Sequence, residues 1–314
     1  ILTRLSKAEN FERFLHTRYV GNKRFSLEGA DTLIPALAEL IDHAAEGGVE
    51  KVVIGMAHRG RLNVLANILN KSYEQIFREF EGALLPLSTE GASDVKYHLG
   101  QRGTYTTPEG REVEVVLSAN PSHLEAVDPV VCGMTRAYQD ELADDERKKV
   151  LAVLIHGDAA FSGQGVVAET FNMSALRATT NGGTIHLVVN NQIGFTASPR
   201  DLRSTYYCTD VAKSVQAPIL HANGDNPEAV LKAVRVAVDY QRNFGSDAVV
   251  DMVCYRRRGH NEGDEPAFTQ PVLYAKIANH PTVLERYCEL VVRRGQLTQE
   301  DADAIAADFE SELR

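Results

Sequence analysis

Apolar, β-branched runs recur along the chain at Val52–Met56, Val113–Leu117, Leu151–Ile155, Ile185–Val189, Pro218–Ala222 and Val249–Cys254, with few polar interruptions. Short runs of this kind predict strands buried on both faces. Between them, apolar positions return at helical spacing. The clearest case follows Asn226, a candidate N-cap, with Pro227 at the first helical position and Val230, Val234, Ala237 and Val238 forming the apolar stripe. Residues 7–19 and 31–46 also read as helices, the second begun by Asp31 and ended at Gly47-Gly48. Strands alternating with helices predict an α/β fold, a doubly wound and mostly parallel sheet with helices on both faces and helical N- and C-terminal extensions. Right-handed crossovers then place every strand exit on one rim. The pattern divides the chain into a helical segment 1–46, an α/β domain 47–281 and a charged helical tail 282–314 with a break at Gly295-Gln296. The polar, Gly-rich stretch 82–111 reads as one long loop, and such loops inside compact domains are usually functional.

Composition narrows the class. At 314 residues the chain can bury a large core, and 44% hydrophobic with 24% charged residues is ordinary for a globular protein. A net charge of −10 argues against nonspecific nucleic-acid binding, which needs a cationic face. Cys132, Cys208, Cys254 and Cys288 are widely spaced without a CxxC, as packed thiols in a reducing compartment would be. No run of 18 apolar residues proposes a membrane span. The chain opens on Ile1 without a signal-peptide pattern, and reads as a piece of a longer polypeptide.

The chemistry concentrates where strands end. VLAVLIHGD places Asp158 just past one buried run, and TIHLVVNNQ places Asn190-Asn191 just past the next. Ligands of open parallel sheets bind outside the carboxyl ends of the strands. Asp158, Asn191 and the backbone carbonyl of Ile193 form an all-oxygen set that suits Mg²⁺, an ion that commonly completes its octahedron with phosphates and water. Gly157 and the small Ala159 let backbone approach a diphosphate, and the helix after Gly163-Gln164-Gly165 is expected to aim its positive end at the same place. His58-Arg59-Gly60 follows the first strand, and an arginine fork binds phosphate bidentately. Ser122 reads as a helix N-cap with Glu125 completing a capping box. His98 taken alone reads as a surface histidine. The basic cluster Arg256-Arg257-Arg258 is followed by acidic GDEP, which with the global charge argues against a nucleic-acid site. GxGxxG after the first strand, a Walker loop, HExxH, a nucleophile elbow and zinc-type Cys/His spacing are all missing.

GD followed by a small residue, about thirty residues, then NN, is the pattern of a thiamine diphosphate motif. With IGMAHRGRLNVL, DVKYHLG, NPSHLEAVDPVV, IHGDAAFSGQGVV, NNQIGFT and CYRRRGHNEGDEPAFTQP, the chain from about Arg24 to Pro281 resembles the thiamine-dependent first component of 2-oxoglutarate dehydrogenase complexes. That resemblance implies the thiamine diphosphate-binding fold, with thiamine diphosphate and Mg²⁺ as cofactors. It implies oxidative decarboxylation of 2-oxoglutarate, with the succinyl group passed to a lipoyl group on a succinyltransferase component. By resemblance Arg59 contacts the cofactor, His58 and His98 serve the substrate, Ser122 lies near both, Leu124 is an apolar neighbour of the cofactor, and His260 lies near the diphosphate. The family holds its cofactor between two domains, and the second, pyrimidine-binding one is not apparent after residue 281. It is expected in the same or a partner chain, the full-length protein being a homodimer. The location implied is cytoplasmic in a bacterium or the mitochondrial matrix in a eukaryote. Gln101-Arg102 stands where some relatives carry small hydroxyl residues, which leaves 2-oxoadipate open as the substrate. A noncatalytic assembly module that keeps the fold is the reading from a different class.

Overall fold

Every apolar run becomes a strand. The computed structural model describes residues 1–81 and 96–312, and its strands are β1 (Lys51–Met56), β2 (Gln101–Thr106), β3 (Glu112–Leu117), β4 (Val150–Gly157), β5 (Thr184–Asn190), β6 (Ile219–Asn223) and β7 (Ala248–Val253). They form one sheet in the order β2-β3-β1-β4-β5-β7-β6, parallel at every step except β2 against β3. The doubly wound α/β expectation therefore holds.

β2 corrects the loop predicted over 82–111. Residues 82–95 lie outside the described residues, but Gln101–Thr106 is an antiparallel edge strand in which only Tyr105 is buried. An edge strand with a single buried side chain presents no apolar run to read. Gly103 has a packing reason, since a Cβ there would sit 2.4 Å from the Leu69 carbonyl oxygen.

Alternate residues of the central strands feed two cores. Val52, Ile54, Leu151, Val153, Ile155, Ile185, Leu187 and Val250 face the helices Leu33–Glu46 and Pro227–Phe244. Val53, Ala152 and Leu154 meet Val127 and Val131 of the helix Asp128–Glu141 and the turn before it, and Val188 meets Phe161 and Phe171. Each such side chain contributes roughly 1.5–3 kcal/mol when fully buried. Asn226 caps its helix as predicted, accepting from the Ala229 amide. The helices Val283–Arg293 and Gln299–Glu312 flank Gly295 at φ +68°. Val283, Leu284, Tyr287 and Val291 pack on Leu2 and Leu5 of the N-terminal helix Leu2–Arg18. No described helix is long and apolar enough to cross a membrane.

The strand order sets the site. After β1 the chain moves to β3 on one side, and after β3 to β4 on the other. The exits of β1 and β4 are thus a topological switch point, where open α/β sheets leave a crevice.

Candidate functional site

The crevice is a cavity lined by Met56–Arg59 after β1, Leu124, Ile155–Ala160 after β4, Val189, Asn191 and Ile193–Phe195 after β5, and Arg256 with His260 after β7. Register explains the convergence. Met56 pairs with Ile155 and Gly157 with Val189, so Asp158 and Asn191 leave adjacent strands nearly side by side. Of the residues picked from sequence, the cavity gathers His58, Arg59, Leu124, Asp158, Ala159, Asn191, Ile193 and His260.

Asp158 opens the short helix Asp158–Gly163 and is 1% exposed. Its Oδ2 has no hydrogen-bond partner; Arg203 Nη1 stands 3.5 Å away. Burial pushes its carboxyl up to about 6, against the pull of Arg203. A buried carboxylate oxygen without a hydrogen-bond donor is costly unless something else satisfies it, and a cation in the cavity would do so. Asn191 Oδ1 accepts from the Ile193 amide at 3.3 Å. Asn190 turns inward instead, donating to Asp251 Oδ1 at 3.0 Å, so only one of the two asparagines faces the cavity. Gln192, at φ +62°, makes the bend between Asn191 and Ile193. Gly157 lines the cavity, and a Cβ there would meet no atom within 4 Å, leaving a cradle of bare backbone. The donor set and the cradle fit a divalent cation with an anionic group. The glycine-flanked start at Gly165 is not part of the lining; the backbone facing the cavity is Gly157–Ala160.

The remaining lining is basic. Arg59 is held by its Nη1 on the Ser26 carbonyl (3.0 Å) and its Nη2 on the His260 carbonyl (2.8 Å). Burial, then the neighbouring Arg256, pulls it down to about 10, so it remains a cation at neutral pH. Arg256, 4% exposed, is fixed by the Arg258 and Phe195 carbonyls and the Tyr274 hydroxyl, each at 3.0 Å. Two fixed guanidiniums facing one carboxylate leave room for added negative charge. His58 and His260 are ring neighbours at 5.3 Å, and both contact Phe25, His58 tilted at 47° and His260 edge-on at 66°. Burial and Arg59 drive His58 down to about 3 and His260 down to about 4, so both are neutral imidazoles here.

His98 and Ser122 meet each other rather than the cavity, with Ser122 Oγ 3.2 Å from His98 Nε2. Neither lines the cavity. Arg61, fully buried, ties their loop to the β1 exit by donating to the carbonyls of Met56 (3.2 Å), Leu99 (2.7 Å) and Ser118 (2.6 Å). The predicted capping box at Ser122 does not form. Ser122 is an exposed bend residue, the helix starts only at Asp128, and Glu125 takes φ +66° and turns elsewhere.

Where Glu125 goes is something the sequence did not disclose. Its Oε2 meets His156 Nδ1 at 2.6 Å, with Asp128 Oδ2 3.8 Å from the same nitrogen. His156 Nε2 meets His186 Nδ1 at 3.0 Å, and His186 Nε2 faces Asp247 at 3.7 Å. All are buried. Burial pushes Glu125 up to about 8 and Asp128 up to about 7, and lowers both histidines. The Glu125–His156 contact is therefore a hydrogen bond between neutral groups. It pins the turn that puts Leu124 into the cavity. A raised carboxyl keeps in the native state a proton that the unfolded chain has lost, so its contribution is full at low pH and disappears as pH rises through the folded value. Histidines with an ordinary value near 6.5 are mostly neutral in both states above pH 7. Between pH 7 and 8 the stability should fall by on the order of 1 kcal/mol per pH unit from Glu125. Glu125→Gln should flatten that slope in urea unfolding followed by circular dichroism, and equal slopes for the two proteins would refute the assignment.

Arg256, Arg203, His156 and Glu125 were missed as site residues. Arg256 carried a signal, being the first arginine after the β7 run. His156 stood in the quoted IHGDAA motif. Arg203 and Glu125 gave none, because their partners are 45 and 31 positions away.

A multifunctional 2-oxoglutarate metabolism enzyme of Mycolicibacterium vanbaalenii is 55% identical over 100% of this chain and 26% of its own length. The same-named protein of Mycobacterium sp. (strain JLS) is also 55% identical, with 25% of its length covered. A 2-oxoglutarate dehydrogenase E1 component of Azotobacter vinelandii is 53% identical over 100% of this chain and 33% of its own length. The chain thus spans about a quarter to a third of the length of these relatives. The pattern of the dehydrogenase E1 component family matches residues 3–314, which takes in the cavity and every strand around it, and the chain belongs to that family.

Proposed function

We propose that the cavity binds thiamine diphosphate through Mg²⁺, and that the chain supplies the diphosphate- and metal-binding half of an enzyme that decarboxylates 2-oxoglutarate. The observation that carries this reading is the buried Asp158 carboxylate, its Oδ2 without a hydrogen-bond donor, beside Asn191 and Ile193 at the switch point. A noncatalytic module would have no use for such a group, which costs stability as it stands. Asp158, Asn191 and the Ile193 carbonyl would hold the metal, and the backbone of Gly157–Ala159 with Arg59 and Arg256 would receive the diphosphate. When bound, thiamine diphosphate supplies a nucleophilic carbon and an electron sink for decarboxylation.

The chain's own residues orient, neutralise and exclude water. Arg59 and Arg256 are already fixed by protein carbonyls, so they present charge without reorganisation. Leu124, held by Glu125, and Ile193 close the apolar side. His58 and His260, being neutral, are placed to donate or accept a hydrogen bond, and a neutral imidazole accepts a proton as negative charge gathers beside it. His58 and His98 are assigned to the substrate, His98 from the loop at the outer edge with Ser122. The 2-oxoglutarate specificity and the further partners rest on the relatives' names and the motifs. Those partners are a pyrimidine-binding domain, a second copy of the chain and a lipoyl-bearing succinyltransferase.

Replacing His58 by alanine should lower turnover of the intact enzyme by about 10²–10⁴-fold, the usual worth of positioned acid–base help, with thiamine diphosphate affinity nearly unchanged. A collapse of cofactor affinity with normal substrate kinetics would move His58 to the cofactor.

A further inference from the structure

Arg203 is a half-buried arginine whose guanidinium reaches the cavity's carboxylate without bonding to it. Its side chain is 11% exposed, yet its Nε and Nη1 have no acceptor, although Asp158 Oδ2, itself without a donor, lies 3.5 Å from Nη1. Arg61 and Arg256, by comparison, each reach carbonyl groups. Arg203 and Asp158 thus balance each other's charge without making a hydrogen bond, which a guanidinium and a carboxylate normally do when the pair is permanent. Resting on the assignment of Asp158 to the metal, we propose that Arg203 is a stand-in cation. It neutralises Asp158 while the metal is away and is expelled when a divalent cation arrives, so that metal occupancy and the position of the segment after β5 are coupled.

The surroundings give the coupling a route. Arg203 directly follows the helical turn Pro199–Leu202. Leu202 packs over Gly194, where a Cβ would stand 2.8 Å from Leu202 Cδ1 and 2.7 Å from Ala159 Cβ. Gly194, in the loop that carries Ile193, is therefore wedged between Leu202 and the residue after Asp158. A monovalent and a divalent cation repel each other across one carboxylate in a site of low dielectric. Displacing the guanidinium frees donors for an anion arriving with the metal and moves Leu202 off Gly194. A ligand that binds one of two arrangements better shifts the balance between them.

The test uses Mn²⁺ alone as the probe, without thiamine diphosphate, on the purified intact protein, with free Mn²⁺ read by electron paramagnetic resonance. Arg203→Gln should bind Mn²⁺ about ten-fold more tightly than the natural protein, within the usual range of coupling between two sites. Arg203→Lys, which keeps the charge, should stay near the natural value. Amide exchange over residues 199–207 should respond to Mn²⁺ in the natural protein and not in Arg203→Gln. Asp158→Ala should lose the Mn²⁺ site with either residue at 203. Equal or weaker Mn²⁺ binding by Arg203→Gln, with the site still dependent on Asp158, overturns the stand-in role alone. Mn²⁺ binding that ignores Asp158 overturns the metal assignment and this proposal with it.

Discussion

Asp158→Ala in the intact enzyme should lose Mg²⁺-dependent affinity for thiamine diphosphate by at least about 100-fold, more than is typical for residues that only support a metal ligand. The fold should survive. Asp158 lies at the first position of a six-residue helix, and its Oδ2 accepts no hydrogen bond, facing only Arg203 at 3.5 Å. Removing the carboxylate leaves the Arg203 guanidinium, 3.5 Å away, without its counter-charge, so the melting temperature of the metal-free protein should fall while its folded circular dichroism spectrum is kept. Isothermal calorimetry with thiamine diphosphate, with and without Mg²⁺, measures both affinities. Unchanged affinity in the variant would mean that the cavity's carboxylate is not a cofactor ligand.

Residues 1–314 by themselves should not turn over 2-oxoglutarate measurably. The described residues contain one sheet, and the cavity sits on its rim. The cavity opens at that rim, so the chain alone would not supply the dry, preorganised surroundings that stabilise charge change. It would also lack acid–base help from a second domain, and positioned groups of that kind typically contribute about 10²–10⁴-fold. The assay is decarboxylation by the isolated chain with thiamine diphosphate, Mg²⁺ and an artificial electron acceptor. Turnover near that of the intact enzyme would show that one domain completes the site.

The sheet was readable because burial on both faces leaves uninterrupted runs such as VLAVLI and TIHLVV, and their ends located Asp158 and Asn191. β2 escaped because only Tyr105 of its six residues is buried. The start of the helix at Asp128 was misplaced because a serine with a glutamate three residues on satisfies the capping pattern, whereas burial against His156 drew Glu125 away into a left-handed turn. Local pattern competed there with a contact 31 positions distant, and the contact prevailed. The same limit applies to the basic wall of the cavity. Arg59 was found because the HRG motif after the first strand resembles the family's, while Arg203 sits in a polar segment with no periodicity. His98 and Ser122 were chosen by motif and do come together, but at the margin and not in the lining.

The most direct measurement is an anomalous-difference map from crystals of the protein grown with Mn²⁺ and thiamine diphosphate. A single strong peak beside Asp158, the Asn191 side chain and the Ile193 carbonyl, with phosphate density over Gly157–Ala159, is the predicted result. A peak at the buried Glu125–Asp128–His156 group, the other cluster able to hold a cation among the described residues, with none at Asp158, would contradict it.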